Sequence, residues 1–483
     1  MRAIVLLLGA VVIIAAAVVG WIKIERRAPS VEFVAKPKAV GRHAELDLVA
    51  RAPESPGLRH VDVRLVSGGK TYQLFEQDVP AAGWAGSGVT EQPIHVSADL
   101  GALGVAEGPA QLQVSADTYG WHILPQRRGP VSEEAIEIDL TPPTAQLLTT
   151  QHNIRVGGAG AAVVRLSPDT AEAHIQVGDY SFPIIRGYFA DPDVGLALFA
   201  VPQDLTTGAR PELRVADAVG NTQTVALPCA IRDNHFPERD LKLDDSFLAR
   251  KVPEILANNR QPPVQDLVQG YLFINRDLRR QTEARVKQIT ATSVPHPLWD
   301  GAFHRQSNSA PMSSFADRRV YKYGDQVIDR QTHLGFDLAS LQRAPVEAAQ
   351  NGIVVFAGDL GIYGNAVIID HGLGVFSLYG HLSSIVVKSG QAVKMGEHIG
   401  QTGDTGLAGG DHLHFSIMLD GTHINPVEWW DGKWIRDHIT PALTILPVAA
   451  PPAPAEGGAT GAATAAAPVP DAAEPVDEQA QPR

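Results

Sequence analysis

The chain has 483 residues, of which 44% are hydrophobic, so it is long enough to form two to four domains. Its formal net charge of −13 argues against nucleic acid as a partner, because binding to phosphates requires an excess of Lys and Arg. The single cysteine, Cys229, excludes an internal disulfide, and its apolar surroundings are typical of a small buried side chain rather than a reactive thiol.

The N-terminal segment is strongly apolar. Residues 3–22 contain no charged or strongly polar side chain, and twenty helical residues span roughly 30 Å, the thickness of the bilayer hydrocarbon. Ala15 and Ala17 could mark a signal-peptide cleavage site, but the apolar run continues beyond them, which favours an uncleaved anchor. We therefore predict that residues 1–27 form a signal anchor with a transmembrane helix. Basic residues flank both ends, so the charges do not define its orientation.

The next part of the chain is predicted to be β-structure. Short segments alternate polar with apolar residues, and turns rich in Gly, Pro and Asp separate them. These segments are residues 44–51, 60–67, 110–117, 135–140, 153–156, 173–178 and 212–217. Short alternating strands of this kind are typical of antiparallel β sandwiches.

Two stretches in this region resemble one another. LQVSADTYG (112–120) and LRVADAVGN (213–221) share a pattern, and a Pro-Pro pair at 142–143 provides a boundary between them. We predict two immunoglobulin-like β modules, residues 28–141 and 142–236. They would act as spacers. The alternative is that they bind a partner or cover an active site.

A helical connector and a low-complexity tail complete the non-catalytic parts. Residues 243–259 and 264–289 have apolar residues at helical spacing, and the prolines at 262–263 separate them. We predict a connector over residues 237–294 that acts as a hinge or brace. Residues 447–483 are rich in Ala and Pro and have few large apolar side chains, so we predict a disordered tail.

Three histidine-containing segments lie in the remaining region, residues 295–446. They are THLGFD (332–337), LYGHL (378–382) and GDHLHF (410–415). Together they are typical of a zinc site with three protein ligands and an open fourth position, which distinguishes a catalytic zinc from a structural one. His412 and His414 lie two apart, so on a strand both imidazoles point to one face. The His-x-x-x-Asp spacing recurs elsewhere in the chain, so it counts only together with the other two segments.

The segment from about 313 to 432 resembles the lysostaphin-type (LytM-like) zinc endopeptidases of bacterial cell walls, on these three motifs and on the glycine-rich runs 345–372 and 387–406. The resemblance implies a C-terminal antiparallel β sandwich of the LytM (duplicated hybrid motif) type, in a mainly β protein. It implies one zinc ion per chain. The implied zinc ligands are His333, Asp337 and His414, and the implied catalytic imidazoles are His381 and His412.

The resemblance also implies a mechanism and a groove. A peptide bond would be hydrolysed by a water molecule that zinc activates. The chain has no His-Glu-x-x-His motif, so one of the two imidazoles must act as the base, and the sequence does not show which one. We place five further residues along the substrate groove: Arg318, Arg319, Tyr321, Asn365 and Tyr379.

The implied function is a zinc metallo-endopeptidase that cleaves peptidoglycan cross-links between stem peptides, of the D-alanyl–meso-diaminopimelate type. The alternative is a non-catalytic protein of the same fold that binds the wall or activates a separate amidase. The partners expected are peptidoglycan peptides, the inner membrane through residues 1–27, and a periplasmic regulator through the β modules. The expected location is the inner membrane, single-pass, with the catalytic domain in the periplasm.

Overall fold

The computed structural model describes residues 2–24, 27–53, 56–81, 88–120, 129–149 and 152–449, with the backbone alone for 2–6, 22 and 152. Most of the predicted tail, 450–483, lies outside the described residues. The chain divides into two compact units. The first comprises Met1–Gln146, Leu166–His174 and Glu212–Val225, and the second Leu147–Arg165, Ile175–Pro211 and Ala226–Arg483. The fold is mainly β, as predicted. The predicted domain boundaries stay predictions.

The first unit begins with helix α1 (Arg2–Lys23). None of the helices in the described part of the chain combines the length and the hydropathy that a bilayer crossing requires. The structure therefore does not support the predicted transmembrane helix.

The strands of the first unit form a two-sheet sandwich. The eight strands that follow α1 are β1 (Ser30–Phe33), β2 (Ala39–Val40), β3 (His43–Arg51), β4 (Leu58–Ser67), β5 (Lys70–Asp78), β6 (Glu91–Asp99), β7 (Gly108–Thr118) and β8 (Ser132–Ile138). One sheet has the order β1-β3-β6 and the other β2-β8-β7-β4-β5. Alternate residues such as Leu46, Val63 and Val114 from both sheets share one buried core. Alternation along the strands therefore produces the sandwich, as the sequence predicted. The immunoglobulin-like assignment stays a prediction.

Eleven further strands precede the helices. They are β9 (Ala145–Leu147), β10 (His152–Arg155), β11 (Ala159–Leu166), β12 (Thr170–Val177), β13 (Tyr180–Pro183), β14 (Ile185–Arg186), β15 (Val194–Ala200), β16 (Glu212–Asp217), β17 (Thr222–Ala226), β18 (Cys229–Arg232) and β19 (Glu238–Leu243). In the second unit β11 pairs antiparallel with β15, and β10 pairs parallel with β18. Burial raises the pKa of the Cys229 thiol to about 11, so the thiol stays protonated at neutral pH, in agreement with a structural role.

The helical connector is confirmed at both predicted segments. It consists of α2 (Asp245–Asn258), α3 (Leu267–Phe273), a π-helical turn (Ile274–Leu278) and α4 (Arg279–Ile289). The Asp244 carboxylate caps α2 by accepting the Phe247 N–H at 2.7 Å. Buried apolar residues of the connector, such as Leu248 and Ile274, pack in one cluster with Ile368 and other residues of the C-terminal sheet.

The C-terminal part of the second unit is built on a large sheet. The strands of this part of the chain are β20 (Ala310–Ser313), β21 (Arg318–Tyr323), β22 (Gln326–Thr332), β23 (Phe336–Ala339), β24 (Pro345–Glu347), β25 (Gly352–Asp359), β26 (Asn365–Asp370), β27 (Val375–Gly380), β28 (Ser384–Ile385), β29 (Ala392–Val393), β30 (His398–Gln401), β31 (Leu413–Leu419) and β32 (Thr422–Ile424). Eight of these strands form the large sheet, in the order β20-β23-β31-β27-β26-β25-β29, with β32 paired to β31. Three short helices follow, α5 (Pro426–Trp430), α6 (Gly432–His438) and α7 (Thr440–Leu443).

Two smaller sheets flank the large one. One has the order β24-β30-β28. The other has the order β19-β21-β22. Its strand β19, which directly precedes the connector helices, pairs in parallel with β21. The connector is therefore hydrogen-bonded into the C-terminal β-structure as well as packed on it.

A carboxylate in the turn after β31 makes the stability of the second unit depend on pH. Burial, and then the nearby Asp370 carboxylate, raise the pKa of Asp420 from 3.8 to about 7. The folded state therefore binds the proton more tightly than the unfolded chain, and stability falls as the pH rises from about 4 to about 7.

We predict that Asp420→Asn raises the free energy of unfolding at about pH 8 by about 1–3 kcal/mol and flattens its dependence on pH below 7. The left-handed backbone at this position, with φ of 47°, accommodates Asn. Urea denaturation at a series of pH values measures this. Unfolding curves that keep the same pH dependence in the variant would contradict the assignment.

Candidate metal centre

The site is assembled on three neighbouring strands, β23, β31 and β27. Asp337 of β23 is paired with His414 of β31, and His414 is paired on its other side with Gly380 of β27. Paired residues in an antiparallel sheet project from the same face, so the Asp337 and His414 side chains meet. Strand ends supply the other three predicted residues: His333 before β23, His381 after β27 and His412 before β31.

Three side-chain atoms converge on one point. Asp337 Oδ1 lies 2.9 Å from Nε2 of His333 and 3.1 Å from Nδ1 of His414. The two nitrogens are 3.0 Å apart. All three side chains are buried, and within the described residues they form a group whose ligand atoms could hold one metal ion.

Hydrogen bonds on the far side of each ring account for the imidazole protons. Nδ1 of His333 lies 3.0 Å from the Ser314 carbonyl oxygen, which can only accept, so this nitrogen carries the proton. The Ser416 hydroxyl donates to the Leu334 carbonyl oxygen at 2.8 Å and therefore accepts from Nε2 of His414 at 3.0 Å. The inward nitrogen of each neutral ring is left with a lone pair.

The inward-facing atoms are therefore three acceptors with no proton between them. Two nitrogen lone pairs and a carboxylate oxygen at about 3 Å repel one another unless a cation lies among them. Two imidazoles and one carboxylate form a donor set that zinc favours, with room for a fourth ligand. The three residues fit the predicted metal on the chemistry of their donors.

The Asp337 carboxylate is fixed on both oxygens. Burial alone would raise its pKa, but the neighbouring His333, His412 and His414 rings hold the pKa well below the ordinary value. Its second oxygen accepts a hydrogen bond from Arg319 Nη2 at 2.8 Å. The carboxylate therefore stays ionised and keeps Oδ1 directed at the metal position.

The two additional imidazoles lie beside the three acceptors. The ring centroids of His381 and His412 are 4.9 Å apart, and Nε2 of His412 is 3.5 Å from Asp337 Oδ1. Nδ1 of His381 donates to the Thr405 carbonyl at 2.8 Å, and Nδ1 of His412 donates to the Gly410 carbonyl at 2.8 Å. Both rings are thus oriented with Nε2 available for chemistry.

The environments of these two rings differ. Burial first, and then the nearby His412 and His414, hold the pKa of His381 well below its ordinary value. Burial lowers the pKa of His412 as well, but the nearby Asp337 carboxylate outweighs this and raises the pKa overall.

A cavity of about 520 Å³ opens on the site. All five predicted metal and catalytic residues line it, together with Arg319 and Tyr321 from the predicted groove. The Arg319 guanidinium donates to the Asp337 carboxylate and to the Ser313 hydroxyl at 2.9 Å, and so supports the carboxylate from the cavity side.

Three other predicted groove residues lie outside the cavity lining. Arg318 donates to the Thr332 hydroxyl at 2.8 Å and to the Gln203 carbonyl at 2.9 Å. Tyr379 is buried, and its hydroxyl accepts the Ala349 N–H at 2.7 Å. The Asn365 amide donates to the Leu382 carbonyl at 3.1 Å. These side chains make internal hydrogen bonds, and their assignment to the substrate groove stays a prediction.

The structure adds site residues that sequence reasoning missed. Ser416 continues the alternation of His412 and His414 along β31, so the period of two could have indicated it. The Tyr363 ring lies 5.0 Å from the His414 ring, and its carbonyl accepts the His381 N–H at 2.8 Å. The sequence carries no local signal for Tyr363, which arrives through a turn 51 residues before His414.

Connector residues also line the cavity. Arg239, Phe247, Arg250 and Tyr271 lie in it, although they precede the histidine motifs by 60 residues or more. Gly335 allows a close approach on the opposite side, because an added Cβ would lie 2.4 Å from Nε2 of His414.

Comparisons with known proteins agree with this part of the structure. Residues 331–426 match the family model described as peptidase family M23. The DD-carboxypeptidase/endopeptidase Mpg of Neisseria meningitidis is 45% identical over 95 residues, which are 20% of this chain and 22% of Mpg. The peptidoglycan DD-endopeptidase ShyA of Vibrio cholerae is 36% identical over 116 residues, 24% of this chain and 26% of ShyA. The chain thus spans about a quarter of the length of these relatives or less.

A solved structure shows a similar correspondence. The match with the catalytic domain of lysostaphin from Staphylococcus simulans covers 26% of this chain and 92% of the lysostaphin domain. The two are 29% identical over the match, with a TM-score of 0.23.

The ligand assignment predicts the effect of removing one acceptor. Asp337→Ala and His414→Ala should each lose most of the zinc that the wild-type chain binds, because two remaining ligands hold zinc weakly. Atomic absorption on the purified, folded variants measures this. Full zinc retention in both variants would contradict the assignment.

The hydrogen bond behind His414 gives a second prediction. Ser416→Ala should weaken zinc affinity roughly 10- to 100-fold, because the bond to Nε2 orients the ring and raises its basicity. Competition with a chromophoric chelator measures the affinity. Ser384→Ala, which removes a hydroxyl bonded to Gln401 instead, is the matched control. An equal affinity in the two variants would oppose the proposed role of Ser416.

Proposed function

We propose that this chain is a zinc-dependent endopeptidase that cleaves peptide cross-links of peptidoglycan, between the D-alanyl and meso-diaminopimelate residues of neighbouring stem peptides. One observation carries the proposal. Three acceptor atoms of His333, Asp337 and His414 face one another with no proton between them, beside two imidazoles that open on the same cavity.

The chemistry divides between a metal and the side chains. Nε2 of His333, Oδ1 of Asp337 and Nδ1 of His414 would hold zinc, which when bound acidifies water and polarises a carbonyl group. The three residues that would hold the metal line the same cavity as the His381 and His412 rings.

The two imidazoles move the proton and stabilise charge. With Nδ1 of each ring bound to a backbone carbonyl, Nε2 is the atom that exchanges protons with water or substrate. One ring takes the proton of the attacking water and returns it to the leaving amine. The other, in its protonated form, donates a hydrogen bond from Nε2 to the oxygen of the tetrahedral intermediate.

The substrate class is proposed from chemistry and from the named relatives. Water attack at a polarised carbonyl hydrolyses amides, whereas glycan cleavage normally needs a pair of carboxylates. Three aspartates line the cavity and each is engaged: Asp337 belongs to the three-acceptor group, Asp317 pairs with Arg239, and Asp244 caps α2. The names of both relatives described above include the word endopeptidase, and the name of ShyA also includes the word peptidoglycan.

The complete set of five residues disfavours the alternative of a non-catalytic wall-binding or amidase-activating protein. Peptidoglycan lies outside the cytoplasm, so we propose the periplasm as the location of the catalytic domain. A regulator that acts through the N-terminal β-structure is part of the same proposal.

The test is digestion of purified sacculi with the full chain. We expect dimeric muropeptides to fall and monomers to rise in matching amounts. His381→Ala is the control: it should keep zinc, because His381 is not among the three ligand residues, and lose activity by roughly 10²-fold or more.

Two other digestion products would reject the proposed bond. Release of glycan fragments would indicate a glycosidase, and release of intact stem peptides would indicate an amidase. No change with the wild-type chain would favour the non-catalytic alternative. A fully active His381→Ala would reject the role given to that ring.

A further inference from the structure

One short loop sets the orientation of both imidazoles. The loop comprises residues 404–410, between β30 and the strand that carries His414. Its Thr405 carbonyl accepts the Nδ1 proton of His381, and its Gly410 carbonyl accepts the Nδ1 proton of His412. A shift of this loop would therefore turn both rings, while the three metal ligands have no hydrogen bond to its carbonyls.

Helix α2 of the connector holds this loop at both ends. Arg250 donates from Nη1 to the Asp404 carboxylate at 3.0 Å and from Nη2 to the Gly409 carbonyl at 3.3 Å. Lys251, the next residue, donates from Nζ to the Asp404 carbonyl. Two adjacent cations on one helix thus bind the first residue of the loop and the residue before Gly410.

The contact between Lys251 and Asp404 is fixed because the Lys251 ammonium group is buried. The residue is 1% exposed, and a buried ammonium is tolerated only when acceptors surround it. Its acceptors are the Asp404 carbonyl and both carboxylate oxygens of Glu254, at 3.2 and 3.1 Å. If the loop moved away, the ammonium would lose a partner while remaining buried. The packed position of α2 therefore requires the observed position of the loop.

We propose that Arg250 and Lys251 are positioning residues: by fixing residues 404–410 they hold the His381 and His412 rings with Nε2 directed at the cavity. The expected effect of these residues on turnover rests on the proposed function. It implies that the segment 331–426, which matches the peptidase family, depends for turnover on a helix outside that segment.

The decisive variant is Arg250→Gln in the full chain. Because the side chain is 48% exposed, its loss does not leave a buried charge. We expect kcat to fall roughly 10- to 100-fold, since small misplacements of catalytic groups have effects of this size. KM should stay within about twofold and the zinc content should be unchanged. Arg250→Lys, which can still reach Asp404, should recover part of the loss.

Arg276→Gln is a stringent control for stability from the same connector, because its partner Asp329 is buried whereas Asp404 is half exposed. Arg276 is also 48% exposed and also bonds one carboxylate and one carbonyl, those of Asp329 at 3.0 Å and Ile328 at 2.9 Å. Neither partner belongs to the loop. A general loss of connector stability would affect both variants, whereas a positioning role affects Arg250→Gln alone.

A second readout does not depend on turnover. The hydrogen-bonded Nδ1 protons of His381 and His412 should give slowly exchanging imidazole signals in proton NMR of the zinc-loaded chain. In Arg250→Gln and in Lys251→Met these two signals should broaden or shift. The Nδ1 proton of His333, bonded to Ser314 outside the loop, should stay unchanged and serves as the reference.

The outcomes separate the two proposals. Unchanged ring signals and kcat in Arg250→Gln would overturn the positioning role while leaving the endopeptidase intact. A rise in KM with constant kcat would also overturn it, because it would indicate direct contact of Arg250 with substrate. If the wild-type chain cleaves no sacculi but the ring signals respond as described, the proposed function fails and the coupling between α2 and the imidazoles stands.

Discussion

The mutual repulsion of three acceptor atoms is the constraint around which the C-terminal part of the chain is built. The Nε2 of His333, the Oδ1 of Asp337 and the Nδ1 of His414 lie about 3 Å apart with their protons placed elsewhere. Such a group is unfavourable by itself in a buried site. It persists because a sheet fixes the positions of Asp337 and His414, and because Ser314, Ser416 and Arg319 hold the outer edge of each group. The unfavourable arrangement is the source of the affinity for a cation.

Hydrogen bonds from surrounding residues support both the metal ligands and the two imidazoles. On the metal side, the side chains of Ser416 and Arg319, both on strands, and the backbone carbonyl of Ser314 supply the supporting hydrogen bonds. On the imidazole side, the support comes from loop carbonyls, and a loop has no register to fix it. The chain meets that need with a helix from another segment, whose cations bind the loop from outside. Strands thus carry two of the three ligands, Asp337 and His414, and a braced loop carries the orientation of the imidazoles.

How much of this could be predicted depended on whether the signal was local. The three histidine motifs, the alternating strands and both connector helices are local patterns, and the structure brings the five motif residues into one site. The sequence did not indicate the internal hydrogen-bond partners of Arg318, Asn365 and Tyr379, because the direction of a side chain depends on its partners across the fold. Tyr363 and Arg250 were missed for the same reason, since neither has a spacing that relates it to the motifs. For residues 3–22 hydropathy favoured a membrane span, which the described helices do not support.

The central place of β31 has a consequence for how the protein is made. It is the last strand of more than three residues in the described part of the chain, yet it lies between β23 and β27. While a ribosome is still synthesising residues 413–419, both neighbours present open edges, with unpaired N–H and C=O groups that can associate with other chains. Closing this gap requires contacts across about 77 residues, which is slow relative to local folding. A nascent or prematurely terminated chain is therefore exposed to aggregation at the position where the complete chain builds its most ordered structure.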